Sequence, residues 1–281
     1  MDDDTPDDRT PDMATAGQPT GGRIAPSGAF APDALAGQVV LVTGASQGIG
    51  ASVAVAAAAA GADVAIGCHR HTEAAEAVGA RVRDAGATAE VFAADLADRA
   101  QARGLVHRTL EAFGRIDGLV NNAGIMPSSP FLETTDQEWD TVIETDLSAV
   151  FATCQAALPG MLQQGSGSIV NIASRLAVVG MPGVVHYAAA KAGIIALTRS
   201  LAREFGPQGV RTNAVAPGVT NTPMGQTVMR GEVGARRRAE LPLGRFAEPA
   251  EVADAVVFLL SGASTLFIGQ TLHPNCGGYM A

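Results

Sequence analysis

Tyr187 and Lys191 stand four residues apart in Val185-His186-Tyr187-Ala188-Ala189-Ala190-Lys191. The alanine-rich run around them reads as a helix to Phe205 and meets a stop signal at Gly206-Pro207. On a helix that spacing puts both side chains on one face, a turn apart. A phenol ionises only near a pH of about 10. A neighbouring ammonium favours the phenolate and lowers that value, so the pair suits proton exchange with an alcohol or a ketone. Ser174 lies thirteen residues before Tyr187, just past a strand-like run. Together the two hydroxyls can hold a carbonyl oxygen. A tyrosine and a lysine at this spacing also occur on helices that do no chemistry, and a serine after a strand is often a turn former. The elements around them decide.

Those residues need a sheet to carry them. Gln38-Val39-Val40-Leu41-Val42 suits a buried parallel strand and runs into Thr43-Gly44-Ala45-Ser46-Gln47-Gly48-Ile49-Gly50, then a helix. Glycines let the backbone turn tightly and approach a pyrophosphate seated at the positive helix N-terminus. The spacing is G-x-x-x-G-x-G rather than the G-x-G-x-x-G fingerprint. Strand-like runs recur at 63–68, 88–93, 118–120, 167–172, 210–215 and 269–273. Helix-like runs fall at 73–84, 99–113, 139–162 and 251–260. This alternation implies a parallel sheet covered on both faces, with functional groups at the carboxyl ends of its strands. Asp95 and Asn121-Asn122-Ala123-Gly124 fall at two such ends, although Asp95 serves equally as a helix cap.

After the second strand come Cys68-His69-Arg70-His71, where an acid would accept from the ribose 2′-hydroxyl of NAD. Arg70, with His69, suits a 2′-phosphate, which favours NADP(H) over NAD(H). The alternative is a solvated loop. Pro217-Gly218 opens a loop with Thr220 and Thr222, and residues 220–243 lack a core period and suit a mobile lid. Arg236-Arg237-Arg238 within it reads as a solvated face or as a contact for an anionic substrate tail.

Composition narrows the classes. Of 281 residues 47% are apolar and only 4% aromatic, so the core must be built from Ala, Val, Leu and Ile. A net charge of −9 leaves no dominant basic surface and argues against nucleic acid. Cys68, Cys154 and Cys276 lie far apart, form no metal-ligand spacing and fit a reducing compartment. The acidic N-terminus lacks an apolar signal region, and the apolar stretch 51–60 is too short to span a bilayer, so a cytoplasmic location is expected, away from membranes. Residues 1–36, rich in Asp, Pro, Thr and Gly, are expected to be a disordered tail or else a partner-binding arm, with one folded domain over 37–281.

Thr43-Gly44-x3-Gly48-x-Gly50, Asn121-Asn122-Ala123-Gly124, Ser174, Tyr187-x3-Lys191 and Pro217-Gly218 occur in the order and at the spacings of the short-chain dehydrogenase/reductases. The chain resembles that family from about Leu35 to its C-terminus, and within it is most similar to 3-oxoacyl-carrier-protein reductases and related bacterial ketoreductases. The resemblance implies an α/β fold: a single-domain, Rossmann-type doubly wound sheet of seven parallel strands ordered 3-2-1-4-5-6-7. It implies hydride transfer from NADPH to a 3-oxoacyl or related carbonyl, with no metal. Tyr187 is then the acid/base and Ser174 orients the carbonyl, while Lys191 holds the nicotinamide ribose and lowers the phenol's pKa. Cofactor contacts are implied for Gly44, Ser46, Gln47, Gly48, Ile49 and Gly50, and for Leu96 beside Asp95. They are implied also for Asn122, Ala123 and Gly124, for Tyr187 and Lys191, and for Pro217, Gly218, Val219 and Thr222. Pairing of the helices that hold Phe151 and Ile195 implies a homotetramer. Two rivals remain: a dehydrogenase oxidising a sugar, steroid or secondary alcohol, and a cofactor-sensing protein without catalysis. Retention of Ser174, Tyr187 and Lys191 together argues against the second.

The sequence departs from the family's pattern in three places. The fourth catalytic residue, an Asn that offers its main-chain carbonyl to a proton relay, is Asp146 here. At about 6 Å from Lys191, with an effective dielectric near 20, its carboxylate would interact by roughly 3 kcal/mol and oppose the phenolate. Gln47 stands where many NADP users carry a basic residue. Met161-Leu162-Gln163-Gln164 and Pro207-Gln208-Gly209 replace the basic side chains with which carrier-protein reductases hold their partner. A free small ketone or alcohol is thereby favoured over a carrier-bound substrate.

Overall fold

A computed structural model describes residues 30–280. Residues 1–29, where most of the expected tail falls, lie outside the described residues. The strands are β1 (Val39–Val42), β2 (Asp63–Cys68), β3 (Ala89–Ala93), β4 (Gly118–Asn121), β5 (Gly167–Ile172), β6 (Val210–Val215) and β7 (Thr271–Leu272). They form one sheet, all pairs parallel, in the order β3-β2-β1-β4-β5-β6-β7, as the family resemblance implies. The helices are α1 (Gly48–Ala59), α2 (Thr72–Asp84), α3 (Arg99–Phe113), α4 (Asp136–Ile143) and α5 (Ala149–Gln164). They continue with α6 (Leu176–Val179), α7 (Val185–Phe205), α8 (Pro223–Met229), α9 (Gly231–Ala239) and α10 (Pro249–Leu260).

The central strand shows why the sheet is covered twice. All four residues of β1 are buried, as expected of a parallel strand with both faces packed. Successive side chains of a strand point to opposite faces. Val40 and Val42 join the core made with α1, α2 and α10, whereas Leu41 joins the core made with α3, α5 and α7. From β1 the chain winds outward through β2 and β3, then returns to place β4 on β1's other side. Val42 pairs with Val120, so the loops after β1 and β4 leave the sheet side by side. A ligand crevice is expected at such a switch point.

Four local readings change. The expected helix over 139–162 is α4 and α5 joined by a π-helical turn, Glu144–Ser148. A π turn absorbs one extra residue without breaking the helix. The lid region 220–243 holds two short helices, α8 and α9, although Val233 is exposed and no apolar face organises them. Leu35 is fully buried, its N–H bonds Ala60 O at 2.7 Å, and Phe30 and Ala34 pack on the same core, so residues 30–36 belong to the packed body. Ile195 is buried within its own chain and offers no surface for pairing, while Phe151 is exposed. Among the described residues no helix is long and apolar enough to cross a membrane.

Candidate active site

A cleft of about 800 Å³ opens where the strands end, between the loops after β1 and β4 and under α8 and α9. Every cofactor residue nominated from the sequence lines it except Gly50. The glycines earn their places by contact. Gly44 has φ +63, and a Cβ on it would stand 2.8 Å from Ala123 Cα. Gly48, φ +59, begins α1, and Gln47 before it provides no side-chain cap, so the first N–H groups of that helix remain available to an anion. Gly50 lies behind the loop, where a Cβ would collide with the Asn122 amide and Gly44 O.

That amide staples the two loops together. Asn122 Nδ2 donates to Thr43 O (2.9 Å) and Gly44 O (3.0 Å). Thr43 Oγ1 accepts from the backbone N–H groups of Asn122 (2.9 Å) and Ala123 (3.1 Å). Asn122 therefore shapes the wall with its side chain spent.

At the far end of the cleft, Arg70 is exposed and makes no ion pair among the described residues. His69 Nε2 lies 3.6 Å from Asp95 Oδ2, which turns the imidazole toward a carboxylate. Asp95 Oδ1 accepts from Ala97 N at 3.0 Å, and the cap of α3 is Asp98, which accepts from Ala100 N and Gln101 N. The capping alternative for Asp95 is thus removed.

At the reacting end Ser174, Tyr187 and Lys191 converge, with relative exposures of 8%, 7% and 3%. Lys191 Nζ donates to Ile172 O at 3.1 Å and stands 5.6 Å from the Tyr187 ring centroid. Burial pushes the phenol above its ordinary value. Lys191 opposes that rise, Asp146 adds to it, and the Ser174 hydroxyl opposes it. The expected net lowering by the ammonium is therefore corrected: desolvation outweighs it.

The largest departure concerns Asp146. The π turn directs its side chain inward, where it is fully buried. Oδ1 accepts from Ile125 N at 2.8 Å, and Oδ2 lies 3.3 Å from Lys191 Nζ, close enough for an ion pair but not aligned as a hydrogen bond. The expected separation of about 6 Å was too long. Gly124 makes room, since a Cβ there would stand 2.7 Å from Asp146 Oδ2. Burial raises the Asp146 carboxyl, with Lys191 the main opposing influence.

Sequence reasoning missed the frame beneath these groups. Thr153 Oγ1 donates to Asn121 Oδ1 (2.7 Å), Asn121 Nδ2 to Asn171 Oδ1 (2.9 Å), and Asn171 Nδ2 to Thr198 Oγ1 (3.0 Å). This buried chain ties α5, β4, β5 and α7 together and fixes the helix that carries Tyr187. A buried Asn inside each of two apolar strands was the available signal. Arg175 and Arg237 also line the cleft. No group of three or more His, Cys, Asp or Glu side chains gathers as a metal site among the described residues.

Known proteins resemble this chain over most of its length. The family model described as enoyl-(acyl carrier protein) reductase matches residues 44–279. The 3-oxoacyl-(acyl-carrier-protein) reductase FabG of Staphylococcus aureus is 40% identical over 240 residues, covering 85% of this chain and 97% of that protein. The cis-4-hydroxycyclohexanecarboxylate dehydrogenase of Sinomonas cyclohexanicum is 42% identical over 250 residues, covering 89% and 99%. A solved structure of a short-chain dehydrogenase from Burkholderia cenocepacia, in complex with NADP, superposes with a TM-score of 0.82 at 37% identity, covering 87% and 98%.

Proposed function

The chain belongs to the short-chain dehydrogenase/reductase family of NAD(P)-dependent oxidoreductases, and from that premise we propose that it reduces a small ketone with NADPH, using Tyr187 as proton donor. One observation carries the reading: Ser174, Tyr187 and Lys191 meet in the same cleft as the glycine loop.

The residues present fit a dinucleotide. Gly44 and Gly48 hold left-handed backbone beside an uncapped helix N-terminus, which suits a pyrophosphate. Arg70, exposed at the far end and without an ion pair among the described residues, suits a 2′-phosphate. When bound, the nicotinamide supplies the hydride that goes to the carbonyl carbon. The chain's own residues supply the rest. Ser174 and Tyr187 offer two hydroxyls to the carbonyl oxygen, and Tyr187 Oη gives its proton as that oxygen gains charge. Lys191, held by Ile172 O, stabilises the phenolate left behind and would hold the nicotinamide ribose.

A phenol is protonated at neutral pH, and burial holds Tyr187 in that form, the state a proton donor needs. Small-molecule carbonyls are favoured over carrier-bound ones, because 161–164 and 207–209 carry no basic side chains. The exposed Phe151 on α5 and the exposed Ala189, Ala192 and Ala196 on α7 support pairing of these helices in a homotetramer, as does the family resemblance. An acidic chain with three free cysteines fits the cytoplasm.

The reading is tested by following reduced nicotinamide with a panel of ketones and alcohols and with both cofactors. Ketone-dependent consumption of NADPH is expected. Alcohol oxidation alone would move the assignment to the oxidative rival, and no turnover of any substrate would leave a cofactor-binding protein.

A further inference from the structure

Three consecutive arginines on α9 have three different surroundings. Arg236 is exposed, 3.3 Å from Glu240. Arg238 places its guanidinium 5.5 Å from the centroid of the Phe246 ring. Arg237 is half-buried and lines the cleft. There its Nη2 lies 3.6 Å from Met181 Sδ, and it has no ion pair among the described residues. A guanidinium has five N–H donors and a thioether is a weak acceptor, so most of Arg237's donors have no partner among the described residues.

Position gives those donors a purpose. Met181 belongs to the loop between α6, which follows Ser174, and α7, which begins two residues before Tyr187. Arg237 therefore stands at the reacting end of the cleft. The cleft's lining includes the apolar Leu176, Met224 and Val228. Arg175, which also lines the cleft and has no ion pair among the described residues, already donates to Gly278 O at 3.0 Å. A planar guanidinium fork matches a carboxylate with two parallel hydrogen bonds.

We propose that Arg237 anchors a carboxylate on the substrate, so that the cleft takes a small oxo acid or hydroxy acid with an apolar body between the reacting carbon and the acid group. The proposal rests on the reading of this cleft as a ketone reductase site. A phosphate would use the same fork, but a single guanidinium balances one charge and leaves a dianion half-paired. An acyl group carried as a thioester has no free carboxylate and leaves Arg237 without a partner. In a chain of net charge −9, the general field repels an organic acid, and a local cation is what would recruit one.

The test measures binding apart from turnover. The NADP-saturated protein is titrated calorimetrically with cyclohexanecarboxylate, cyclohexanecarboxamide and cyclohexylphosphonate. The carboxylate should bind about tenfold or more tighter than the amide, as a charge-assisted pair implies, and tighter than the phosphonate. Arg237→Ala should remove the preference and Arg237→Lys should keep part of it. Arg236→Ala, which alters the neighbouring exposed pair, should leave it intact. Equal affinities for acid and amide, no binding of the acid, a stronger phosphonate, or a preference that survives Arg237→Ala would each overturn the proposal. Turnover separates the two claims. Reduction of ketones without any acid preference defeats this inference and keeps the reductase reading. An acid preference with no turnover of any ketone does the reverse.

Discussion

The cofactor end of the cleft is built from backbone, and the reacting end from side chains. Around Gly44 and Gly48 the chain presents main-chain atoms, and the neighbouring side chains of Thr43 and Asn122 bond the loops to each other. Ser174, Tyr187, Lys191 and Asp146 come instead from three separate elements and are held by burial and by the Thr153–Asn121–Asn171–Thr198 chain. A pyrophosphate asks only for N–H groups and a helix end, which glycines give wherever the fold allows. Proton transfer asks for one particular oxygen in one place. The first end should therefore suffer from an added atom, and the second from a removed one.

The sharpest break is Tyr187→Phe. Removing Oη should lower kcat by about 10²–10⁴-fold, the usual worth of positioned acid catalysis, with NADPH affinity nearly unchanged. Steady-state kinetics and a nicotinamide-fluorescence titration check both halves. A variant that keeps more than about a tenth of wild-type kcat would remove Tyr187 from the proton step.

The converse change is Gly44→Ala, which adds a single carbon. With φ +63 the new side chain is strained, and it meets Ala123 Cα at 2.8 Å. Left-handed backbone costs an ordinary residue about 1–2 kcal/mol, and the loop must also move. NADPH affinity should fall by roughly tenfold or more, with a smaller change in kcat once cofactor saturates. Unchanged affinity would mean that the loop yields freely and that backbone geometry is not what grips the dinucleotide.

The same contrast explains what the sequence discloses. The glycine loop is legible because only glycine tolerates its geometry, so the requirement is written in residue type. That the sheet is parallel follows from strands and helices that alternate with clear periods, whereas its order is implied only by the family resemblance. The π turn at Glu144–Ser148 leaves no such mark: one inserted residue hardly alters a helical pattern, yet it decides where Asp146 points. The pair Asn121 and Asn171 reads as two polar blemishes in apolar strands until the sheet sets them opposite each other. The helices α8 and α9 have no apolar face to reveal them. Leu35 looks like part of a polar tail because its burial depends on a bond to Ala60 O, far along the chain.

A smaller effect is expected where the backbone end does rely on a side chain. If Arg70 holds a 2′-phosphate, Arg70→Ala should weaken NADPH by about tenfold, in line with a charge-assisted hydrogen bond, and leave NADH almost unaltered. The two dissociation constants measured side by side decide it. Equal losses for both cofactors would return Arg70 to the solvated loop and leave the discrimination to another group.

The smallest expected change, and the one that probes the reacting end most finely, is Asp146→Asn. Four influences set the Tyr187 phenol: burial raises its pKa, Lys191 lowers it, Asp146 raises it, and the Ser174 hydroxyl lowers it. An anion 3.3 Å from the ammonium offsets the charge that would otherwise favour phenolate. Asn keeps the shape and can still accept from Ile125 N, but it carries no charge. Lys191 keeps its bond to Ile172 O. Without the carboxylate the phenolate forms more readily, so the rising limb of alcohol oxidation should move to lower pH. The falling limb of ketone reduction should move the same way, because the donor is lost earlier as pH rises. Burial also raises the carboxyl of Asp146. Were it protonated across the working range, wild type and variant would give superimposable pH–rate curves, and the charged pair would be refuted. A shift to higher pH would mean that the carboxylate favours the phenolate by positioning Lys191, 3.3 Å away, rather than opposing it by its charge.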